Sequence, residues 1–113
     1  MLLASVVIPT LERHQELESC QKSLEAQKGV QHEVVEIILI KERGPLARLR
    51  NEGLHQARAP VVSFIDDDVI CPPGWLAGVL RAMEPSQIVG VTGPAIIPQA
   101  YRGNRDLFRY KRL

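Results

Sequence analysis

Asp66, Asp67 and Asp68 are three consecutive carboxylates placed directly after the apolar run 61–65. A strand that ends in such a triplet delivers concentrated negative charge to the edge of a sheet. Two carboxylates about 6 Å apart repel by roughly 0.7 kcal/mol in water and roughly 3 kcal/mol at an effective dielectric of 20, so ionised together they attract a cation. Hard oxygen donors suit magnesium, manganese or calcium, and magnesium combines one or two carboxylates with waters and substrate phosphates. A phosphate ester fits that chemistry. The competing account is that the acids cap the next segment or solvate a turn, and the surrounding elements decide between the two.

Residues 2–8 are short, apolar and rich in valine, and they run into Pro9 and Thr10, the pattern of a buried strand closed by a turn. Over residues 13–28, Leu17, Cys20 and Leu24 recur at helical spacing, with Gln27 a further candidate for that stripe, while Glu16, Glu18, Lys22 and Glu25 face elsewhere; Gly29 ends this amphipathic helix. Residues 33–40 form a second strand, and the unbroken run 37–40 is too apolar for a sheet face open to water. Gly44 and Pro45 start a second helix whose apolar stripe is Leu46, Leu49, Gly53, Leu54 and Ala57, and Ala59 and Pro60 end it before the third strand at Val61. Trp75, Val79 and Met83 share the stripe of a short third helix, and residues 88–92 read as a fourth strand, with residues 95–97 extending it. Strands alternating with helices predict an α/β domain with a mostly parallel sheet, right-handed crossovers and helices on both faces. Ligands of such sheets bind outside the carboxyl ends of the strands. The first strand ends at Pro9 and Thr10 and the third at the aspartates, so two separate stretches meet at one edge and favour a site over a solvated turn.

The chain of 113 residues, 45% hydrophobic, is the size of one ordinary domain. Fourteen basic and thirteen acidic side chains leave no global field that argues for specific nucleic-acid binding. The distribution is uneven: residues 99–113 carry Arg102, Arg105, Arg109, Lys111 and Arg112 against Asp106, with Tyr101, Phe108 and Tyr110 among them. This division gives a domain over 1–98 and a basic tail over 99–113. The tail reads first as a solvated terminus, with a nucleic-acid or peripheral membrane contact, or the start of a region that this chain does not complete, as the alternatives. Cys20 and Cys71 lack metal-ligand spacing and read as reduced thiols. No apolar stretch approaches the roughly 20 residues that span a bilayer, and no signal-peptide cleavage pattern follows residues 1–8, which predicts a cytoplasmic protein.

Val6, Val7, Ile8, Pro9 and Thr10 on the first strand, Arg50, Asn51 and Gly53 on the second helix, residues 64–68, and then Pro72, Pro73, Gly74, Trp75 and Leu76 occur in a specific order and spacing. With these parts the chain resembles the N-terminal, nucleotide-sugar-binding part of the inverting family 2 glycosyltransferases, which have the Rossmann-like GT-A fold, and the resemblance implies a truncated version of that fold here. The resemblance covers most of residues 3–98. It implies a nucleotide-diphosphate sugar as donor, an acceptor not identified by the sequence, and a divalent cation, magnesium or manganese. By the same resemblance Pro9 and Thr10 line the base pocket, Asp67 faces the ribose, Asp68 holds the metal, Asp66 is a neighbouring site residue, and Arg50 adds a phosphate or ribose contact. A metal there neutralises charge that accumulates on the diphosphate leaving group. Asn51 and Gly53 place the helix against the sheet, Gly53 by admitting close backbone approach.

The departures from the family pattern carry information too. After the second strand the family commonly has an acidic pair with glycine and serine, one acid contacting the base; here Ile40 is followed by Lys41, Glu42, Arg43 and Gly44, so Glu42 is the substitute and Lys41 reverses the expected charge. Leu11 and Glu12 stand where an aromatic and an asparagine often follow the proline and threonine. The general base and acceptor segments of the family lie beyond the fourth strand and nothing past Pro98 resembles them, so no catalytic residue is assigned. A second function therefore stays open, a non-catalytic nucleotide-binding or interaction module derived from a glycosyltransferase. An unfinished sheet and an uncovered apolar surface predict self-association as a homodimer. A third class, a dehalogenase-like phosphatase using Asp66 and Asp68, is weakened by Ile70 where threonine or valine is expected. His14, His32 and His55 have no metal spacing, and the stripe with Val79 and Met83 favours core packing over sugar stacking for Trp75.

Overall fold

A computed structural model of the chain describes residues 1–11 and 14–93. The elements follow in the order β1 (Ala4–Pro9), α1 (His14–Glu25), a single 3-10 turn (His32–Val34), β2 (Val35–Ile40), α2 (Leu46–Gln56), β3 (Val61–Phe64) and α3 (Trp75–Ala82). All strand pairs are parallel and β1 is central, with β2 on one side and β3 on the other. The expected α/β architecture is the one observed: a small GT-A-type, Rossmann-like sheet flanked by helices. α1 ends at Glu25, four residues before Gly29.

Alternation along β1 explains why Val6, Val7 and Ile8 are apolar in succession. Successive side chains point to opposite faces, so Val6 and Ile8 pack with Leu17, Cys20 and Leu24 of α1 on one face. Val7 packs with Leu49 of α2, together with Ile38 and Ile40, on the other. The same division runs through β2, where Val35, Ile37 and Leu39 lie against the α1 cluster. Covered on both sides, these strands carry apolar residues on both faces, with Ser5 and Glu36 the polar exceptions at their amino ends.

Two sequence expectations are corrected. Residues 88–92 form no strand: Ile88, Val89 and Val91 are exposed, and none of the three strands pairs with them. A valine-rich run becomes a strand only where a neighbour takes its backbone hydrogen bonds, and β-branched composition alone does not supply one. On α2 only Leu49 and Gly53 of the apolar stripe are buried, while Leu46 and Leu54 are exposed. β2 and β1 present a narrow face there, and a wider stripe than that face overhangs it. The candidate extension at 95–97 and the basic tail 99–113 lie outside the described residues.

At the amino ends of the strands, Glu36 holds three chain segments together. Its Oε1 accepts hydrogen bonds from Ser5 Oγ and from the Arg58 backbone N–H, both at 2.7 Å, and its Oε2 accepts one from Arg58 Nε at 2.9 Å. Ser5 Oγ in turn accepts the Ala59 N–H at 3.1 Å. The Ser5 hydroxyl foremost, then the Arg58 amide and guanidinium, hold the Glu36 carboxyl below the usual glutamate range. A lowered folded value means that this stabilisation is complete above about pH 4.3, the ordinary glutamate pKa, and is lost as pH falls through the folded value. Glu36→Gln is expected to cost about 2 kcal/mol at neutral pH, the scale of hydrogen bonds to a charged acceptor. The gap between the two proteins should narrow as pH falls through that folded value and the Glu36 carboxyl takes up its proton; urea unfolding at neutral and at acid pH measures it.

Candidate functional site

The carboxyl ends of the three strands meet at one edge. Pro9 is in register with Ile40, the Thr10 N–H donates to Ile40 O at 3.0 Å, and the Ile65 N–H continues the β1–β3 ladder by donating to Val7 O at 3.1 Å. The chain leaving each strand therefore enters the same space. A groove of about 390 Å³ lies there, with Pro9 at the end of β1 and Thr10 and Leu11 just after it, Glu42, Arg43 and Gly44 from the β2–α2 loop, Leu46 and Leu49 from α2, and Asp66, Asp67 and Asp68 after β3.

The three aspartates are not equivalent. Burial alternates from β3 onward: Ser63, Ile65 and Asp67 are buried, whereas Phe64, Asp66 and Asp68 are exposed. The Val69 N–H donates to Asp66 O at 3.2 Å, so the chain turns at the aspartates just past β3, and the turn leaves Asp67 buried between two exposed neighbours. A buried carboxylate needs donors, and Thr10 Oγ1 donates to Asp67 Oδ2 at 2.8 Å, both residues being no more than 5% exposed. This bond ties the end of β1 to the end of β3 under the groove. Asp66 and Asp68 stand at its rim as accessible oxygen donors, and Asp68 also borders a second, smaller depression with Gln15, Glu16, Ser19 and Ile70.

The segment that follows the aspartates is clamped to the end of α1. Gln27 Nε2 donates to Pro72 O at 2.7 Å and to Ser23 O at 3.1 Å, while Gln27 Oε1 accepts the Leu76 N–H at 2.8 Å and so caps α3, whose own N-cap position is Gly74. Ser23 Oγ donates to Cys20 O at 2.7 Å and accepts the Cys71 N–H at 3.0 Å. Cys20 and Cys71 are buried free thiols beside this segment. Burial first, then the neighbouring Cys71, Asp67 and Asp68, pushes the Cys20 thiol up to about 11, and burial raises Cys71. Neither is a nucleophile in this state.

Of the residues singled out from sequence, the structure brings Pro9, Thr10, Glu42, Asp66, Asp67 and Asp68 to one groove. Arg50 is exposed on α2 and does not line it, and Trp75 packs against the α1-side core. His32 and His55 are exposed and away from the groove. Sequence reasoning missed Arg43, Gly44 and Leu49 as lining residues, Arg48 behind them and the Gln27 clamp. A glycine two residues after a groove acid, followed four residues later by arginine in a first helical turn, is the signal available for the first group, because helical side chains lean back toward the N-terminus.

A parallel sheet with an acidic groove at its carboxyl edge defines the class of open α/β domains, whose ligands generally bind at that edge. The model of the family described as Glycosyl transferase family 2 matches residues 40–112, and the chain belongs to that family. The match starts at the last residue of β2 and continues through the basic tail, beyond the stretch 3–98 in which the resemblance was read. It sets aside the phosphatase alternative. No curated protein matches the chain. Among the described residues no helix is long and apolar enough to cross a membrane.

Proposed function

We propose that the groove binds a nucleotide-diphosphate sugar together with a divalent cation, as the donor half of an inverting glycosyl transfer. The observation that carries this reading is the Thr10–Asp67 bond beneath two exposed carboxylates, which makes a rigid floor under an accessible acidic rim. Among the described residues no group of three or more histidine, cysteine, aspartate or glutamate side chains is placed to hold a metal. That donor set fits a cation completed by waters and the substrate's own diphosphate, as magnesium sites usually are, rather than a cage made by the protein alone. Asp68 would hold the ion, with Asp66 beside it. When bound, magnesium or manganese would neutralise charge on the departing diphosphate.

The chain's own residues supply shape and polarity. Pro9 and Thr10 form the base end of the groove, Glu42 offers an acceptor to the base, and Asp67 faces the ribose. Arg50 stays outside this arrangement, whereas Arg43 is a cation that lines it. Transfer also needs a carboxylate within hydrogen-bond reach of the acceptor hydroxyl. Glu84 lies past the end of α3 and Asp106 outside the described residues, and neither is assigned that task.

Calorimetric titration of the intact chain with UDP, GDP and their sugars, with and without manganese, tests the proposal. Binding is expected only with the metal. A folded chain that binds none of them under either condition would remove the donor-site reading and leave the interaction module. Metal-dependent binding without transfer to any acceptor would mark a non-catalytic nucleotide-binding domain.

A further inference from the structure

We infer that Arg48 is a positioning residue that fixes the β2–α2 loop, and through it the Glu42 carboxylate, for recognition of the ligand's base; this rests on the donor-binding reading above. One guanidinium touches three successive groove residues from behind. Arg48 Nη1 donates to Glu42 Oε2 at 3.3 Å, and Nη2 donates to Arg43 O at 2.8 Å. Its Cζ and Nε would lie 3.0 and 3.1 Å from a Cβ built on Gly44, and its Nη2 closer still. Glu42, Arg43 and Gly44 line the groove and Arg48 does not.

Neither helix formation nor stability explains an arginine here. Arg48 is the third residue of α2, at the positive end of the helix dipole, where an acidic residue is favoured and a cation is not. Its ion pair with Glu42 leaves both side chains more than half exposed, and pairs that open to water add little stability. What the contacts do supply is shape. Gly44, with φ 153°, takes a backbone conformation that side-chained residues rarely adopt, which lets the loop fold under the guanidinium.

The contact also sets the chemistry that Glu42 presents. Oε2 is taken by Arg48, and Oε1 accepts no hydrogen bond among the described residues. An ionised carboxylate only accepts, so Glu42 is left to receive an N–H from the ligand, the kind of donor that a nucleobase has and a diphosphate lacks. Arg48 offsets one negative charge in a groove that already holds Asp66, Asp67 and Asp68. A lysine would keep the charge and lose the planar fork that spans Glu42 and Arg43 together.

The test titrates wild type, Arg48→Ala, Arg48→Lys, Glu42→Ala and the Arg48→Ala/Glu42→Ala double variant with UDP, GDP and inorganic pyrophosphate in the presence of manganese. Both Arg48 variants are expected to bind the better nucleoside diphosphate about tenfold more weakly, about 1.4 kcal/mol at 25 °C. Pyrophosphate affinity and thermal midpoint should stay at the wild-type value, and Arg48→Ala should add no loss in the Glu42→Ala background. Equal weakening of pyrophosphate would make Arg48 a phosphate contact and overturn the inference. Unchanged nucleotide affinity, or a further loss in the double variant, would also overturn it. If wild type binds nucleotide and the Arg48 variants bind it equally well, only this inference fails; if wild type binds no nucleotide, the donor-site reading fails and takes this one with it.

Discussion

Gly53→Ala is expected to destabilise the protein by about 3 kcal/mol, the upper range for overpacking a core. The sign is the informative part, because alanine in a helix interior ordinarily stabilises by about 1 kcal/mol relative to glycine. At Gly53 a Cβ would fall inside the contact distance of Val7 Cγ1 and only 3.1 Å from Val7 Cβ. Val7 has no freedom to yield: it is fully buried on the central strand, with Ile38, Ile40 and Leu49 around it. Relief must come from α2 moving off β1, which opens the α2-side core and shifts the β2–α2 loop at the groove. Gly78, in the interior of α3 with nothing within 4 Å of a built Cβ, is the matched control, and Gly78→Ala should be neutral or stabilising. Urea midpoints at unchanged slope measure both. A Gly53→Ala protein as stable as wild type would mean that α2 does not sit as close to β1 as the structure has it.

The same contact shows which relations a sequence carries. Glycine at position 53, amid leucines at helical spacing, marks close approach, and the alternation of Val6, Val7 and Ile8 is legible as a strand covered on both faces. The meeting of Thr10 with the aspartates follows from parallel topology alone, since each stretch follows the carboxyl end of a strand. The fourth strand was misread because strand pairing is a property of neighbours, and valines at 89 and 91 look alike whether paired or exposed. The spacing of the aspartate triplet does not show its burial, and it takes the turn after β3, closed by the Val69 N–H on Asp66 O, to leave Asp67 in and Asp66 and Asp68 out. Gln27 was unreadable for a further reason. Its partners include main-chain atoms of a distant segment, the carbonyl of Pro72 and the amide of Leu76, and backbone groups leave no residue-type signature.

Adjacent aspartates should respond to the same substitution in opposite ways. Asp68→Ala removes an exposed carboxylate at the rim, and because interactions open to water add little stability the fold should lose no more than about 1 kcal/mol. If Asp68 holds the metal as proposed, metal-supported nucleotide affinity should nonetheless fall by at least about a hundredfold, beyond the 10- to 100-fold typical of outer-shell partners, because a direct ligand would be lost. Asp67→Ala removes the buried acceptor of the Thr10 hydroxyl and should cost about 2 kcal/mol of stability. Asp67→Asn separates its two contributions, since an amide oxygen can still accept from Thr10 while the negative charge is gone. That variant should recover most of the stability lost in Asp67→Ala and bind nucleotide more weakly than wild type. Calorimetric titration with manganese and urea unfolding, run on the same three proteins, give the two readouts. If Asp68→Ala unfolds the chain, or Asp67→Ala leaves stability unchanged, the division into an accessible rim and a structural floor is wrong. If Asp68→Ala is stable and binds nucleotide as tightly as wild type, the rim carboxylate is not a metal ligand and the cation must be held elsewhere.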